Sequence, residues 1–342
     1  QIDPAAREGR GLARAPGTDP AAHGSDAPAR PDGATPGPID ALRDRVEAGD
    51  LEVVASSYGP ASLGPLVRAR LGDEARRQLD AARQVQHAVL GATDATSMVT
   101  GEIDGPLVVH LDRRGLRRVV VDSKSVSSSS RFTPARPFTL TDGRERRAAL
   151  LAATADRDLE SLLADGHVPT GVRAAQLVAG GTVTALEQPA LERGIGVVVP
   201  TGVAPDGAQL VRAIEDALQS HPLLSPVRLE ELFDKVPQQT DRGKPVTKSP
   251  QATPAPELTE EPGDLRSARA RVSSLRTLAG PESDLVRRAE RSLLLAESGD
   301  PDHPTRRYLD GALGVVRQAV AKVEGPPQQT VTLIGRRANV PV

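Results

Sequence analysis

The stretch VRAAQLVAGGTVTALEQPALERGIGVVV, residues 172–199, decides how the chain is read. Val172, Ala175, Ala179, Val183 and Leu186 recur at spacings of three and four, which predicts a helix whose apolar stripe faces a core, with Arg173, Gln176 and Glu187 left polar. Pro189 ends that pattern. Beyond a polar link through Glu192 and Arg193, residues 194–200 read GIGVVVP, a short β-branched run bounded by breakers, as in a parallel strand covered on both faces. Asp206 then stands as an N-cap with Gln209 three residues on, and Leu210, Ile214, Ala217 and Leu218 give the next helical stripe. Helix, strand and helix in this order imply an α/β architecture.

The same alternation extends upstream. Ile39, Leu42 and Val46 predict a short helix stopped at Gly49-Asp50, and residues 51–56 read as a strand. Residues 63–71 and 75–90 are helical, 97–103 strand-like, and Pro106 opens a helix over 107–114 that Gly115 closes. Residues 117–122, centred on Val119, Val120 and Val121, predict the next strand, followed by a long polar loop over 123–141 and helix-like material over 148–164. Downstream, residues 223–227 suggest a last short strand and 229–233 a helical turn.

Strands separated by helices favour a largely parallel sheet, and an incomplete or degenerate β/α barrel is the expected version. The boundaries that follow are a disordered linker over 1–38, a barrel-like domain over 39–236 and a second linker over 237–263. A helical hairpin or bundle over 264–325 is built from segments 264–279, 283–297 and 304–323, and 326–342 is the first strand of a truncated β domain. Leu275, Leu278, Leu293, Leu309, Val316 and Val320 are among the residues expected to form the shared core of that bundle.

Composition narrows the function classes. The 342 residues contain 3 Phe, 2 Tyr and no Trp, so the core must be built from Leu, Val and Ala. A net charge of −2 with basic residues dispersed among acidic ones gives no field for nucleic acid. The absence of cysteine removes disulfides, thiolate metal sites and cysteine nucleophiles. No apolar run reaches the roughly 20 residues that span a bilayer. The chain begins at Gln1 and ends in strand-like sequence, so it reads as a segment of a longer precursor.

The chemistry-bearing residues are sparse. A deacetylase-type metal site needs converging histidines, commonly a helical turn apart. His23, His87, His110, His167, His221 and His303 are isolated from one another, so neither a metal nor a cofactor is expected. Glycoside hydrolysis needs two carboxylates about 5 to 10 Å apart, placed on a parallel barrel at the carboxyl ends of strands. Glu102, Asp104 and Asp122 are the acidic residues that the strand assignment puts there, and they are the catalytic candidates. An Asp just before Gly105-Pro106 serves equally well as a helix cap. The serines at 127–130 have no partner His or GxSxG turn and read as a solvated loop. The paired glycines form neither GxGxxG nor a P-loop. Arg287, Arg288 and Arg291 stand among Glu282, Asp284 and Glu290, which reads as a solvated mixed-charge face.

Several short pieces carry a family resemblance: Ile2-Asp3-Pro4, GDLEVVASSY at 49–58, GEIDG at 101–105, RRVVVD at 117–122, residues 172–189, GIGVVVP, SPVRLEELF at 225–233 and VTLIGRRANVPV at 331–342. Together they resemble an uncharacterised family of actinobacterial cell-envelope proteins encoded beside the lipid flippase for peptidoglycan precursors. The resemblance implies an extracytoplasmic, membrane-anchored precursor with a first domain similar to the β/α barrels of glycoside hydrolases and polysaccharide deacetylases. This chain departs from the family at Thr100-Gly101, where Trp-Pro is usual, and at Gly180-Gly181, where an alanine-rich helix is usual. Two functions follow as expectations. One is a non-catalytic envelope scaffold whose partner is cell-wall glycan or an envelope membrane protein. The other is a carbohydrate-active enzyme acting on wall glycan through Glu102, Asp104 or Asp122.

Overall fold

The computed structural model describes residues 37–59, 61–91, 95–101, 103–127, 132–143, 147–199, 206–251, 257–298 and 304–323. The expected N-terminal linker up to residue 36, the residues 127–130 serine run beyond Ser127 and the expected β strand at 326–342 lie outside them. The helices are α1 (Pro38–Glu47), α2 (Leu63–Arg68), α3 (Gly72–Leu90), α4 (Gly105–Arg113), α5 (Arg157–Ala164), α6 (Thr170–Glu187), α7 (Gly207–Leu218) and α8 (Leu229–Lys235). Three more, α9 (Pro262–Ala279), α10 (Asp284–Ala296) and α11 (Thr305–Val320), follow near the C-terminus. None of the described helices is long and apolar enough to cross a membrane.

The sheet contains β1 (Ser97–Thr100), β2 (Arg118–Asp122), β3 (Phe138–Thr141), β4 (Ala149–Ala155) and β7 (Thr247–Lys248) in the order β1-β2-β4-β3-β7. Strands β5 (Thr240–Asp241) and β6 (Lys244–Pro245) form a separate small hairpin. Strand β1 pairs in parallel with β2, and β2 with β4, while β3 runs antiparallel to the first half of β4. Two single bridges extend the parallel set: Ala55 to Met98 on the free side of β1, and Gly196 to Ala155 at the carboxyl end of β4. Five parallel segments therefore follow one another in chain order, with α-helices between them except between β2 and β4, where a short 3-10 turn and the antiparallel β3 intervene. This is a sector of a β/α barrel, with no closed ring.

Alternation along the strands separates two cores. Met98, Val119, Val121 and Ala152 join Leu66, Leu107 and Leu111 in the large core beneath the outer helices. Val120, Ala153 and Ala155 face the other way, and Leu232 and Phe233 of α8, with Val236 just after it, cover them. Helix α8 therefore lies on the face that a complete barrel would turn inward. Arg118 anchors it, reaching Asp234 at 2.6 Å and lying 5.8 Å from the Phe233 ring centre. Across the large core the C-terminal bundle contributes Leu265, Val272, Leu293 and Leu309, so the two regions bury apolar surface together.

Several sequence expectations need correction. Residues 149–155 read as helical because Ala and Leu favour helices, yet they form β4 at the sheet centre, where β2 and β3 flank them. The expected 123–141 loop ends in β3, and residues 223–227 form no strand. Residues 51–56 and 194–199 join the sheet through one bridge each. The α6 stripe is reversed: Val172, Val183 and Leu186 are 46%, 62% and 57% exposed, whereas Arg173, Ala174, Gly181 and Thr184 are buried. Asp206 caps no backbone N–H through its side chain and instead accepts from Arg173, which also donates to the Leu163 carbonyl at 2.9 Å. In the bundle Leu275, Leu293 and Leu309 are buried as expected, but Leu278 and Val320 are exposed.

Gly180 and Gly181 have a packing reason. A Cβ at Gly180 would lie 2.5 Å from Leu159 Cδ2 of α5, and one at Gly181 would lie 3.0 Å from Leu224. Absent side chains let α6 approach both neighbours closely, which offsets the usual helix penalty of about 1 kcal/mol per glycine.

Candidate functional site

The carboxyl ends of the parallel strands are where a β/α fold gathers its functional groups. Glu102 lies outside the described residues. Asp104, just past β1, is the N-cap of α4: its carboxylate accepts from the Leu107 N–H at 2.8 Å and from Arg68 at 2.7 Å. Pro106 in the first turn leaves fewer amide donors there, so one aspartate suffices to cap the helix.

Asp122 ends β2 on the same face as Arg118 and Val120. One oxygen accepts from the Lys124 N–H at 2.8 Å and the other pairs with Arg157 at 2.5 Å. Only 12% of the Asp122 side chain is exposed, against 55% for Arg157. The two described candidates thus stand on adjacent strand ends, but each is held by its own arginine and its own backbone donor.

The groups around Asp122 are ones that sequence reasoning missed. Asp156 follows β4 and caps α5 through the N–H groups of Asp158 and Leu159 at 3.0 and 3.2 Å. One turn on, Glu160 accepts from the Val198 N–H at 3.2 Å, tying α5 to the GIGVVV segment. Burial raises the Glu160 carboxyl above its ordinary range, the Val198 bond and Arg157 oppose that, and the charges of Asp122 and Asp156 add to it. The signal that could have found this group is the Asp156-to-Glu160 spacing, but only after residues 149–155 are recognised as a strand.

Behind this rim lies a rigid support. Glu187, at the end of α6, accepts from the Thr133 N–H and hydroxyl at 3.0 and 2.9 Å and from Arg193 at 2.9 Å. Burial acts to raise its carboxyl, but the Arg193 and Thr133 hydrogen bonds prevail and hold it below the ordinary range. Arg193 also donates to the carbonyls of Thr133, at 2.6 Å, and Thr184. The loop before β3, the end of α6 and the GIGVVV segment are pinned by this one guanidinium.

The chemistry available at the rim is carboxylates matched to arginines and amides. Among the described residues no group of His, Asp and Glu converges as a metal-ligand set. His87, His110, His167 and His221 are described; His23 and His303 lie outside.

No family model matches the chain, and no curated protein matches its sequence. Among solved structures it is similar to the α-amylase AmyC from Thermotoga maritima, with a TM-score of 0.59 and 12% identity over 84% of this chain and 71% of that one. It is also similar to the 4-α-glucanotransferase from Thermococcus litoralis, with a TM-score of 0.56 and 12% identity over 84% of this chain and 50% of that one. At such identity the likeness is one of fold: the chain shares the glycoside-hydrolase-like β/α architecture.

Proposed function

We propose that this chain is a non-catalytic interaction module of an actinobacterial cell envelope, built on a glycosidase-type scaffold, with wall glycan or an envelope membrane protein as its partner. The observation that carries this reading is the state of the strand-end carboxylates. Asp104 is taken up by a helix start and Arg68, and Asp122 by the Lys124 amide and Arg157. A glycosidase needs one of its two carboxylates free to meet the sugar and the other free to carry a proton. The cover that α8 gives to the inner sheet face points the same way.

A second reading rests on Glu160. A carboxyl held above its ordinary range beside a second carboxylate is the pattern of an acid–base pair. On this reading the chain hydrolyses wall polysaccharide through Glu160 and Asp122, in keeping with the glucan-active enzymes that share the fold.

One experiment separates the two. Purified protein is incubated with peptidoglycan and arabinogalactan fragments, and both cosedimentation with insoluble wall and released sugar are measured. The module reading expects retention on the wall with no product, unchanged in Glu160→Gln. Turnover that Asp122→Ala and Glu160→Gln abolish would overturn it in favour of the enzyme.

A further inference from the structure

Away from the strand ends, a buried charged cluster joins α3 to the C-terminal bundle. Glu74 and Gln78 come from α3, Arg269 from α9, and Glu297 from the C-terminal end of α10. Arg269 grips Glu74 through both carboxylate oxygens, with its Nε 2.9 and 2.8 Å from them. Gln78 spans the same seam, donating to Glu297 at 2.7 Å and to the Leu294 carbonyl at 2.7 Å while accepting from the Gly59 N–H at 3.3 Å. Arg77 stands at the rim, 3.6 Å from Glu74 and 37% exposed. From the other neighbouring segment, Tyr58 packs with Leu294 and Ala82.

Glu297 is the anomaly. It is 1% exposed and its Oε1 has no donor, because the nearest cation, Arg269, is 3.5 Å away and aligned on Glu74. It also sits at a helix C-terminus, where the peptide dipoles disfavour negative charge. A buried carboxylate oxygen without a donor is costly, whereas a carboxylic acid there has an acceptor close by in the Glu74 carboxylate, which contacts the same Arg269 nitrogen.

We propose that Glu74 and Glu297 share one proton across the seam between α3 and the α9–α11 bundle, and that loss of this proton loosens the bundle from the sheet domain. The assembly is then a pH-dependent latch, closed when Glu297 is a carboxylic acid that donates to Glu74. Upon deprotonation two carboxylates face each other in a dry site whose one buried arginine is aligned on Glu74, and Glu297 keeps only the Gln78 hydrogen bond and the longer approach of Arg269 at 3.5 Å. Burial, followed by the Glu74 charge, moves the Glu297 carboxyl well above its ordinary range, in keeping with this arrangement.

The test follows amide exchange at residues 289–298 and the thermal midpoint of the whole chain between pH 5 and 10, for wild type and Glu297→Gln. The variant supplies a neutral donor of the same shape. Wild type is expected to lose protection in that segment and to melt earlier as pH rises, with the variant losing most of that dependence. Identical pH profiles in the two proteins would overturn the latch. Should the variant not fold, carbon-13 labelling of glutamate in the wild type decides: one carboxyl titrating far above the others supports the shared proton, and all titrating in the ordinary range refutes it.

Discussion

At the scale of single residues, the glycines separate two roles that look alike in a helix. Gly180 exists for the approach of α5, because an added methyl would sit 2.5 Å from Leu159 Cδ2. Gly311, in the exposed middle of α11, would meet nothing within 4 Å. Gly180→Ala is expected to destabilise by about 1–3 kcal/mol through overpacking, whereas Gly311→Ala should stabilise by roughly 0.5–1 kcal/mol by removing backbone freedom. Urea melts of the two variants check both signs. The overpacking at Gly180 could not be read from the sequence, since it depends on which helix lies against α6.

At the scale of elements, α6 and α8 carry the sharpest test of the packing. The α6 sequence distributes small apolar residues around the whole helix, with Arg173 and Glu187 as its charges. Spacing alone therefore selects the Val172-Val183-Leu186 side, yet Arg173 points inward to the Leu163 carbonyl and Asp206. Paired in this way, a buried arginine outweighs a weak stripe. Val183→Lys is accordingly expected to leave stability within about 0.5 kcal/mol, while Leu232→Ala, on the buried side of α8, should cost about 2–5 kcal/mol. Equal losses would mean that the α6 assignment is inverted. The helices of the bundle were legible because their long leucine-rich stripes have a single apolar side. Strand β4 was not, because an Ala-Leu run contains no period that distinguishes a central strand from a helix.

At the scale of the whole molecule, the seam between sheet and bundle concentrates the polar energetics. Arg269→Met would leave Glu74 and Glu297 facing each other with only the half-exposed Arg77 at the rim as a cation, and is expected to cost about 3–5 kcal/mol at neutral pH, as measured by denaturant unfolding. The two carboxyls bracket the pH range of stability. Glu297, raised when folded, lends stability that is complete below the ordinary glutamate range and is lost as pH rises through its folded value. For Glu74 burial is the largest influence and pushes up, but Arg269, Glu297 and Arg77 together bring it below its ordinary value. Its contribution is therefore present at higher pH and is lost as pH falls through that lowered value. A stability maximum between the two is expected in a melting series across pH. The sequence by itself determined the alternating α/β order, the valine-rich β2, the C-terminal helices and the placing of Asp104 and Asp122 near strand ends, because these follow from local periodicity and breakers. Only the tertiary structure decided which face of α6 is buried, that residues 149–155 are a strand, that α8 covers the inner sheet face, and that Glu74 meets Arg269 and Glu297. Those outcomes depend on partners brought together from distant parts of the chain, and no local pattern encodes such a meeting.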